Sequence, residues 1–149
     1  MKFEDKYKRE SLKLNQPDKV NGSVAWRSPS NIALIKYWGK KDFQLPQNPS
    51  LSFALDKSFT ETSLEYRYKG NRGNKGTVVE FRFENKKNPA FETRIKTFLK
   101  TASAFMPFVN HFDLKIESHN SFPHSSGIAS SASSMSALSL CLVSMEQEL

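Results

Sequence analysis

Strand-like residues fill Ser23 to Ser28 (SVAWRS) and Ile32 to Tyr37 (IALIKY), with the breaker Pro29 and the turn-prone Ser30-Asn31 between them. This predicts two strand pieces around a tight bend. From Ser50 to Leu55, the residues Leu51, Phe53 and Leu55 alternate with Ser52 and Ala54, which predicts another strand. Ser63 to Tyr68 and Val78 to Phe83 flank the glycine-rich KGNRGNKG, the second run alternating Val79, Phe81 and Phe83 with charged residues. That pair reads as a hairpin. Its loop carries Lys69, Arg72 and Lys75, read as solvated charge.

Beyond Asn88-Pro89, the positions Phe91, Ile95, Phe98, Leu99, Ala102 and Phe105 recur at helical spacing until Pro107. An amphipathic helix is expected there. Phe112, Leu114 and Ile116 then alternate with Asp113, Lys115 and Glu117, which leads a strand into a serine-rich segment. After the serines, Met135, Leu138, Leu142, Met145 and Leu149 step by three and four and mark a buried helix face. No Gly or Asn follows that helix, and Glu146 and Glu148 sit where its dipole disfavours negative charge, so the chain is expected to stop inside an element.

The whole is 149 residues with 38% hydrophobic positions, room for one compact domain. Residues 1–22 are charged and poor in apolar positions, and are expected to be an extension to a domain spanning 23–149. The charged start lacks a signal peptide's apolar stretch, and no run approaches the roughly 18 apolar residues of a membrane span. A cytoplasmic, non-membrane protein is expected. The single Cys141 fits that compartment and reads as core. The net charge of +7 fits either nucleic acid or small polyanions; its scatter through polar segments favours the latter.

Two segments carry chemistry. HNSFPHSSGIASSASS, residues 119–134, lies between a strand and a helix. A phosphate needs converging N–H donors, and a glycine-containing loop opening a helix supplies them along with the positive end of the dipole. Gly127 lets the backbone turn, while Ser125, Ser126, Ser130 and Ser131 add hydroxyls for phosphate or for magnesium. A serine-rich linker is the competing reading, but the flanking strand and helix place the segment in a folded core. Neither a Walker A loop nor a GxGxxG occurs. The three histidines His111, His119 and His124 have no zinc-ligand spacing, and no metal site is expected from protein ligands.

Pro123 to Ser134, PHSSGIASSASS, resembles the phosphate motif of GHMP small-molecule kinases, with Ile128 in place of the usual leucine. SPSNIALIKYWGKKDFQLPQNPSLSFALD, residues 28–56, resembles the N-terminal signature of diphosphomevalonate decarboxylases within that superfamily, nearly continuously over the segment. The resemblance implies an α/β, two-layer α+β fold of the GHMP kinase N-terminal, ribosomal protein S5 domain 2-like type. It also implies an ATP-dependent lyase of isoprenoid biosynthesis that phosphorylates the tertiary hydroxyl of mevalonate diphosphate and releases carbon dioxide, phosphate and isopentenyl diphosphate. ATP and Mg2+ are the implied cofactors, the partners are the diphosphate substrate and ATP with no nucleic acid or membrane, and family members commonly form homodimers.

Residue by residue, the resemblance places Lys36 near the reacting hydroxyl, as the one catalytic candidate, and gives Asn31 an orienting role. Tyr37, Trp38, Gly39 and Lys40 would contact the substrate's phosphate end. Pro123, Ser125, Ser126, Gly127, Ile128, Ala129, Ser130 and Ser131 would hold the nucleotide phosphates. The physical reading agrees in kind: a carboxylate and a diphosphate meeting ATP require fixed cations, and Lys36, Lys40 and Lys41 provide them. On an extended strand Lys36 and Tyr37 would face opposite ways unless Gly39 supplies a bend. The family's catalytic aspartate, a Ser-Gly-Ser-x-x-Arg motif and a third glycine-rich motif fall after the region matched, so the 149-residue chain is expected to be inactive alone. Alternatives are a mevalonate 3-kinase, a phosphomevalonate decarboxylase, a non-catalytic binder of an acidic metabolite, or an RNA-binding module.

Overall fold

The computed structural model describes residues 20–41, 45–70, 77–123 and 126–149. Its strands are β1 (Asn21–Ile35), β2 (Lys40–Lys41), β3 (Leu45–Pro46), β4 (Leu51–Tyr68), β5 (Val79–Phe83), β6 (Lys86–Lys87) and β7 (Phe112–Asn120). The helices are α1 (Pro89–Ala102), a short 3-10 turn (Pro107–His111) and α2 (Ser130–Glu148). Five strands form one sheet in the order β1-β4-β7-β5-β6, and β2 with β3 forms a separate two-stranded sheet. Residues 1–19, which hold most of the expected extension, lie outside the described residues, and Asn21 and Gly22 already belong to β1.

Several expectations change. The two strand pieces around Pro29 are one strand: β1 runs through the proline, with a register shift between Pro29 and Ser30 where the bend was expected. Proline lacks the N–H that an inner ladder needs, but β1 is an edge of the sheet, where one side of the backbone has no partner strand to satisfy. The strand also stops at Ile35, so Lys36 and Tyr37 fall beyond it. Likewise the runs at Ser50 and at Ser63 are the two ends of one 18-residue strand, β4.

The hairpin across KGNRGNKG does not form. β7 lies between β4 and β5, antiparallel to the first and parallel to the second. A parallel pair needs a crossover, and α1 lies in the connection from β5 to β7. Of the loop cations, Arg72 and Lys75 lie outside the described residues.

Burial explains the layering. Val24, Leu64, Ile116 and Phe81 form one row across four strands, all within the core. Ile95 and Leu99 of α1 and Leu138, Cys141, Leu142 and Met145 of α2 cover them from one side. Each such large apolar side chain contributes roughly 1.5–3 kcal/mol when fully buried. The opposite face carries Arg27, Glu61, Glu65 and Lys115, paired as Arg27–Glu61 at 3.0 Å and Lys115–Glu65 at 2.8 Å. The result is a two-layer α+β arrangement. Asn88 caps α1, its side-chain oxygen accepting the Phe91 N–H at 3.1 Å, with Pro89 in the first turn. At the far end, Gly22 makes room for Tyr66: a Cβ there would lie 2.2 Å from the Tyr66 hydroxyl, which donates to the Glu148 carboxylate at the end of α2. No helix among the described residues is long and apolar enough to cross a membrane.

Candidate functional site

The core changes character toward one end of the sheet. Beyond the Val24–Leu64–Ile116 row, the next core positions are Thr62 and Ser118, and then Ser28 and Thr60, all buried. Buried hydroxyls cost free energy unless they are paired. Thr62 and Ser118 pair at 2.8 Å, and the Thr60 hydroxyl donates to Asn120 Oδ1 at 2.7 Å while lying 2.6 Å from Ser133 Oγ. Ser133 belongs to the first turn of α2, and its hydroxyl also reaches the Ser130 carbonyl at 3.0 Å. The start of α2 is thereby fixed to the sheet by polar contacts.

The loop leading into that turn takes left-handed backbone at two positions. Gly127 has φ +80°, and Ala129, the residue preceding the helix, has φ +54°, a conformation that costs a non-glycine residue about 1–2 kcal/mol. No side chain caps α2. The Ala129 carbonyl accepts from Ala132 and Ser133, both further into the helix, and the first amides of α2 have no acceptor within the helix itself. A Cβ on Gly127 would meet nothing within 4 Å, so the space in front of it is open. An uncapped helix start with hydroxyls at Ser130 and Ser131 is a donor set for an anion. Pro123, Ser126 and Ile128 complete the described part of the segment; Ser125 and His124 lie outside it.

The first segment meets this loop at its root. Ser30 is buried, and its hydroxyl donates to the Ile128 carbonyl. From there the paired ends of β1 and β4 continue as a two-stranded ribbon, with Asn31 opposite Ala54 and Ile32 opposite Phe53. Past Ile35 the chain turns, and Asn48 secures the turn: its Oδ1 accepts the Trp38 N–H at 3.1 Å and its Nδ2 donates to the Lys36 carbonyl at 3.3 Å. The Gln47 side chain packs over Gly39, where a Cβ would lie 2.7 Å from Gln47 Oε1 and the flexible side chain would have to move, and the Gln47 N–H donates to the Gly39 carbonyl at 3.0 Å. Lys40 Nζ lies 5.8 Å from the centre of the Tyr37 ring, within reach of a cation–π contact. Trp38 is 91% exposed. Lys36, Tyr37, Trp38 and Lys40 are thus gathered on one turn at the tip of the ribbon, while Ser126 to Ser131 stand at its root.

Several contributors were not singled out from sequence: Ser30, Asn48, Thr60, Asn120 and Ser133. A signal existed for some of them, because Thr60, Thr62 and Ser118 are polar residues at positions whose parity matches the core. Two cavities open beside the loop. One of about 190 Å³ touches Phe83, Phe91, Arg94, Asn120, Ser130 and Ser131; another of about 430 Å³ touches Phe83, Glu84, Asn120 and Pro123. No group of three or more His, Cys, Asp or Glu suited to a metal occurs among the described residues.

Residues 28–148 match the family model of the diphosphomevalonate decarboxylase-like N-terminal domain. The diphosphomevalonate decarboxylase of Ganoderma lucidum is 32% identical over 127 residues, which cover 79% of this chain and 32% of that protein. Mevalonate diphosphate decarboxylase from Staphylococcus aureus superposes with a TM-score of 0.71 at 30% identity, over 88% of this chain and 38% of that one. The enzyme from Enterococcus faecalis, described for its mevalonate diphosphate mediated ATP binding mechanism, gives 0.68 at 33% identity over 87% and 39%. A structure of MDDEF in complex with MVAPP, AMPPCP and magnesium also scores 0.68, at 33% identity over 87% and 38%. The chain spans about a third of the length of the curated relatives it matches.

Proposed function

We propose, since this chain belongs to the family of diphosphomevalonate decarboxylase-like N-terminal domains, that it is the nucleotide- and substrate-holding part of an ATP-dependent decarboxylase acting on mevalonate diphosphate. The whole protein would phosphorylate the tertiary hydroxyl, after which loss of carbon dioxide and phosphate together gives isopentenyl diphosphate. The observation that carries this reading is the Ser30–Ile128 hydrogen bond, which joins the two segments expected to hold the two reactants.

The donor set fits a nucleotide polyphosphate with magnesium. Ser130, Ser131 and the amides around Gly127 and Ala129 would hold its phosphates against the start of α2, with Pro123, Ser125, Ser126 and Ile128 shaping the loop. Bound there, ATP supplies the phosphoryl group and Mg2+ neutralises part of its charge. Lys36 would stand near the reacting hydroxyl. Asn31 would orient the site, and Tyr37, Trp38, Gly39 and Lys40 would take the substrate's diphosphate end. Phosphoryl transfer depends chiefly on positioning and charge neutralisation, and the α2 turn bolted through Ser133 and Thr60 is a rigid base for both.

Calorimetric titration of the 149-residue chain tests the reading. ATP with Mg2+ and mevalonate diphosphate should each bind, and Lys40→Ala should weaken the diphosphate by roughly 1.5–3 kcal/mol, the value of a hydrogen bond to a charged group, while leaving ATP nearly unchanged. No binding of either ligand, or equal loss of both in the variant, would count against it. A substrate panel including mevalonate and phosphomevalonate would separate this reading from a mevalonate 3-kinase or a phosphomevalonate decarboxylase.

A further inference from the structure

We propose that Asn48 is a positioning residue for the substrate's diphosphate end, acting through Tyr37 and Lys40, an inference that rests on the ribbon tip being the substrate site. The tip has no packed interior to shape it. Leu34, Ile35, Trp38, Leu45 and Leu51 are all exposed. Among the described residues between Lys36 and Ser50, only Gly39 and Asn48 are half-buried. β1 ends at Ile35 and β4 begins at Leu51, so the one ladder described between them is the two-residue pairing of β2 with β3. Where so little surface is removed from water, apolar burial contributes little to the conformation, and hydrogen bonds decide it.

Asn48 makes three of those hydrogen bonds with a single amide. Its Oδ1 accepts the Trp38 N–H at 3.1 Å, and its Nδ2 donates to the Lys36 carbonyl at 3.3 Å and to the Pro49 carbonyl at 2.9 Å. The Lys36 carbonyl lies in the peptide plane before Tyr37, and the Trp38 N–H in the plane after it. Holding both planes fixes φ and ψ of Tyr37, the two soft backbone angles of that residue, and so the direction in which its ring leaves the chain. Lys40 Nζ lies 5.8 Å from the centre of the same ring, so the ring in turn places a cation. The Pro49 contact ties this bracket to the chain just before β4.

The residue type matches the task. An amide offers an acceptor and two N–H donors, whereas a carboxylate of the same shape offers acceptors only and would stand against two carbonyl oxygens. Both Asn48 donors are spent on backbone, so this side chain holds the turn and leaves contact with an anionic ligand to Tyr37 and Lys40.

The test is equilibrium binding of mevalonate diphosphate, and separately of ATP with Mg2+, to the 149-residue chain, to Asn48→Ala, to Lys40→Ala and to the double variant. Asn48→Ala should weaken the diphosphate about tenfold, the effect of one or two net hydrogen bonds, and leave ATP affinity and the unfolding midpoint nearly unchanged. In the Lys40→Ala background the same substitution should cost about threefold or less, because residues that act as one unit are not additive. An equal loss in both backgrounds means that Asn48 does not act through Lys40 and overturns the proposal. So does an Asn48→Ala chain that fails to fold, or that loses ATP and diphosphate alike, since either makes Asn48 a general structural residue. Asn48→Asp keeps an acceptor for Trp38 and removes the two donors; it should bind the diphosphate no better than Asn48→Ala, and wild-type affinity in that variant also overturns the proposal. A wild-type chain that binds ATP but no mevalonate diphosphate removes the ribbon-tip reading itself, a result distinct from diphosphate binding that ignores Asn48.

Discussion

β1 and β4 each run through two environments, and the contrast separates scaffold from site. Between Val24 and Ser28, β1 pairs with the second half of β4, where Thr60, Thr62, Leu64 and Tyr66 are buried beneath the helices. Between Ser30 and Ile35 the same strand pairs with the first half of β4, and there Ile32 is 44% exposed and Phe53 54%. Both halves alternate or carry strand-forming residues, and both are strands. Only one has helices laid across it. Apolar alternation therefore specifies extended backbone, while burial depends on what packs against it. The ribbon half ends in the Lys36–Lys40 turn, so the part of the strands that contributes least to the core is the part that carries the candidate substrate residues.

The largest expected effect lies in the scaffold half. Leu64→Ala, at a fully buried position in the central row, should lower unfolding free energy by about 2–5 kcal/mol in a denaturant titration. Thr60→Val follows. It leaves Asn120 Oδ1 and Ser133 Oγ without the hydroxyl between them, and should cost roughly 1–3 kcal/mol while loosening the start of α2 and weakening ATP.

Alkaline titration acts on the same half. Burial, together with the Glu148 contact, pushes the Tyr66 hydroxyl up to about 12, and burial pushes the Cys141 thiol up to about 11. Both groups are favoured in their neutral forms in the folded state. Their stabilisation is complete below the unfolded values of about 9 for the thiol and 10 for the phenol, and is lost as pH rises through the raised values. Unfolding midpoints should fall between pH 9 and 12, and Cys141→Ala should remove the earlier part of that decline.

The smallest effect should come from the ribbon. Phe53→Ser exposes no new cavity in the helix-covered core and should change stability by about 0.5 kcal/mol or less. A loss of several kcal/mol there would erase the distinction between the halves.

Much of this was legible in the residues. The alternation at Phe112, Leu114 and Ile116 marked β7, and the helical spacing from Phe91 marked α1, because both elements bury one regular face. The pairing was not legible. KGNRGNKG suggested a hairpin of β4 with β5, but β5 pairs with β7, some thirty residues on, and with the short β6, and nothing local in the loop records that choice. Pro29 suggested a break because proline interrupts inner ladders; an edge position cannot be read before the strand order is known. At the site, Ser130 and Ser131 stood out in the serine run. Ser30 and Asn120 did not, because their partners lie some 98 and 60 residues away.

The proposed division, with a nucleotide at the start of α2 and the diphosphate substrate at the ribbon tip, is decided by amide hydrogen exchange on the 149-residue chain with and without ATP and Mg2+. Exchange should slow at Gly127 to Ala132 on adding ATP, and at Lys36 to Lys40 only on adding mevalonate diphosphate. Protection by ATP on the charged outer face around Glu65 and Lys115, with Gly127 to Ala132 unchanged, would contradict the account.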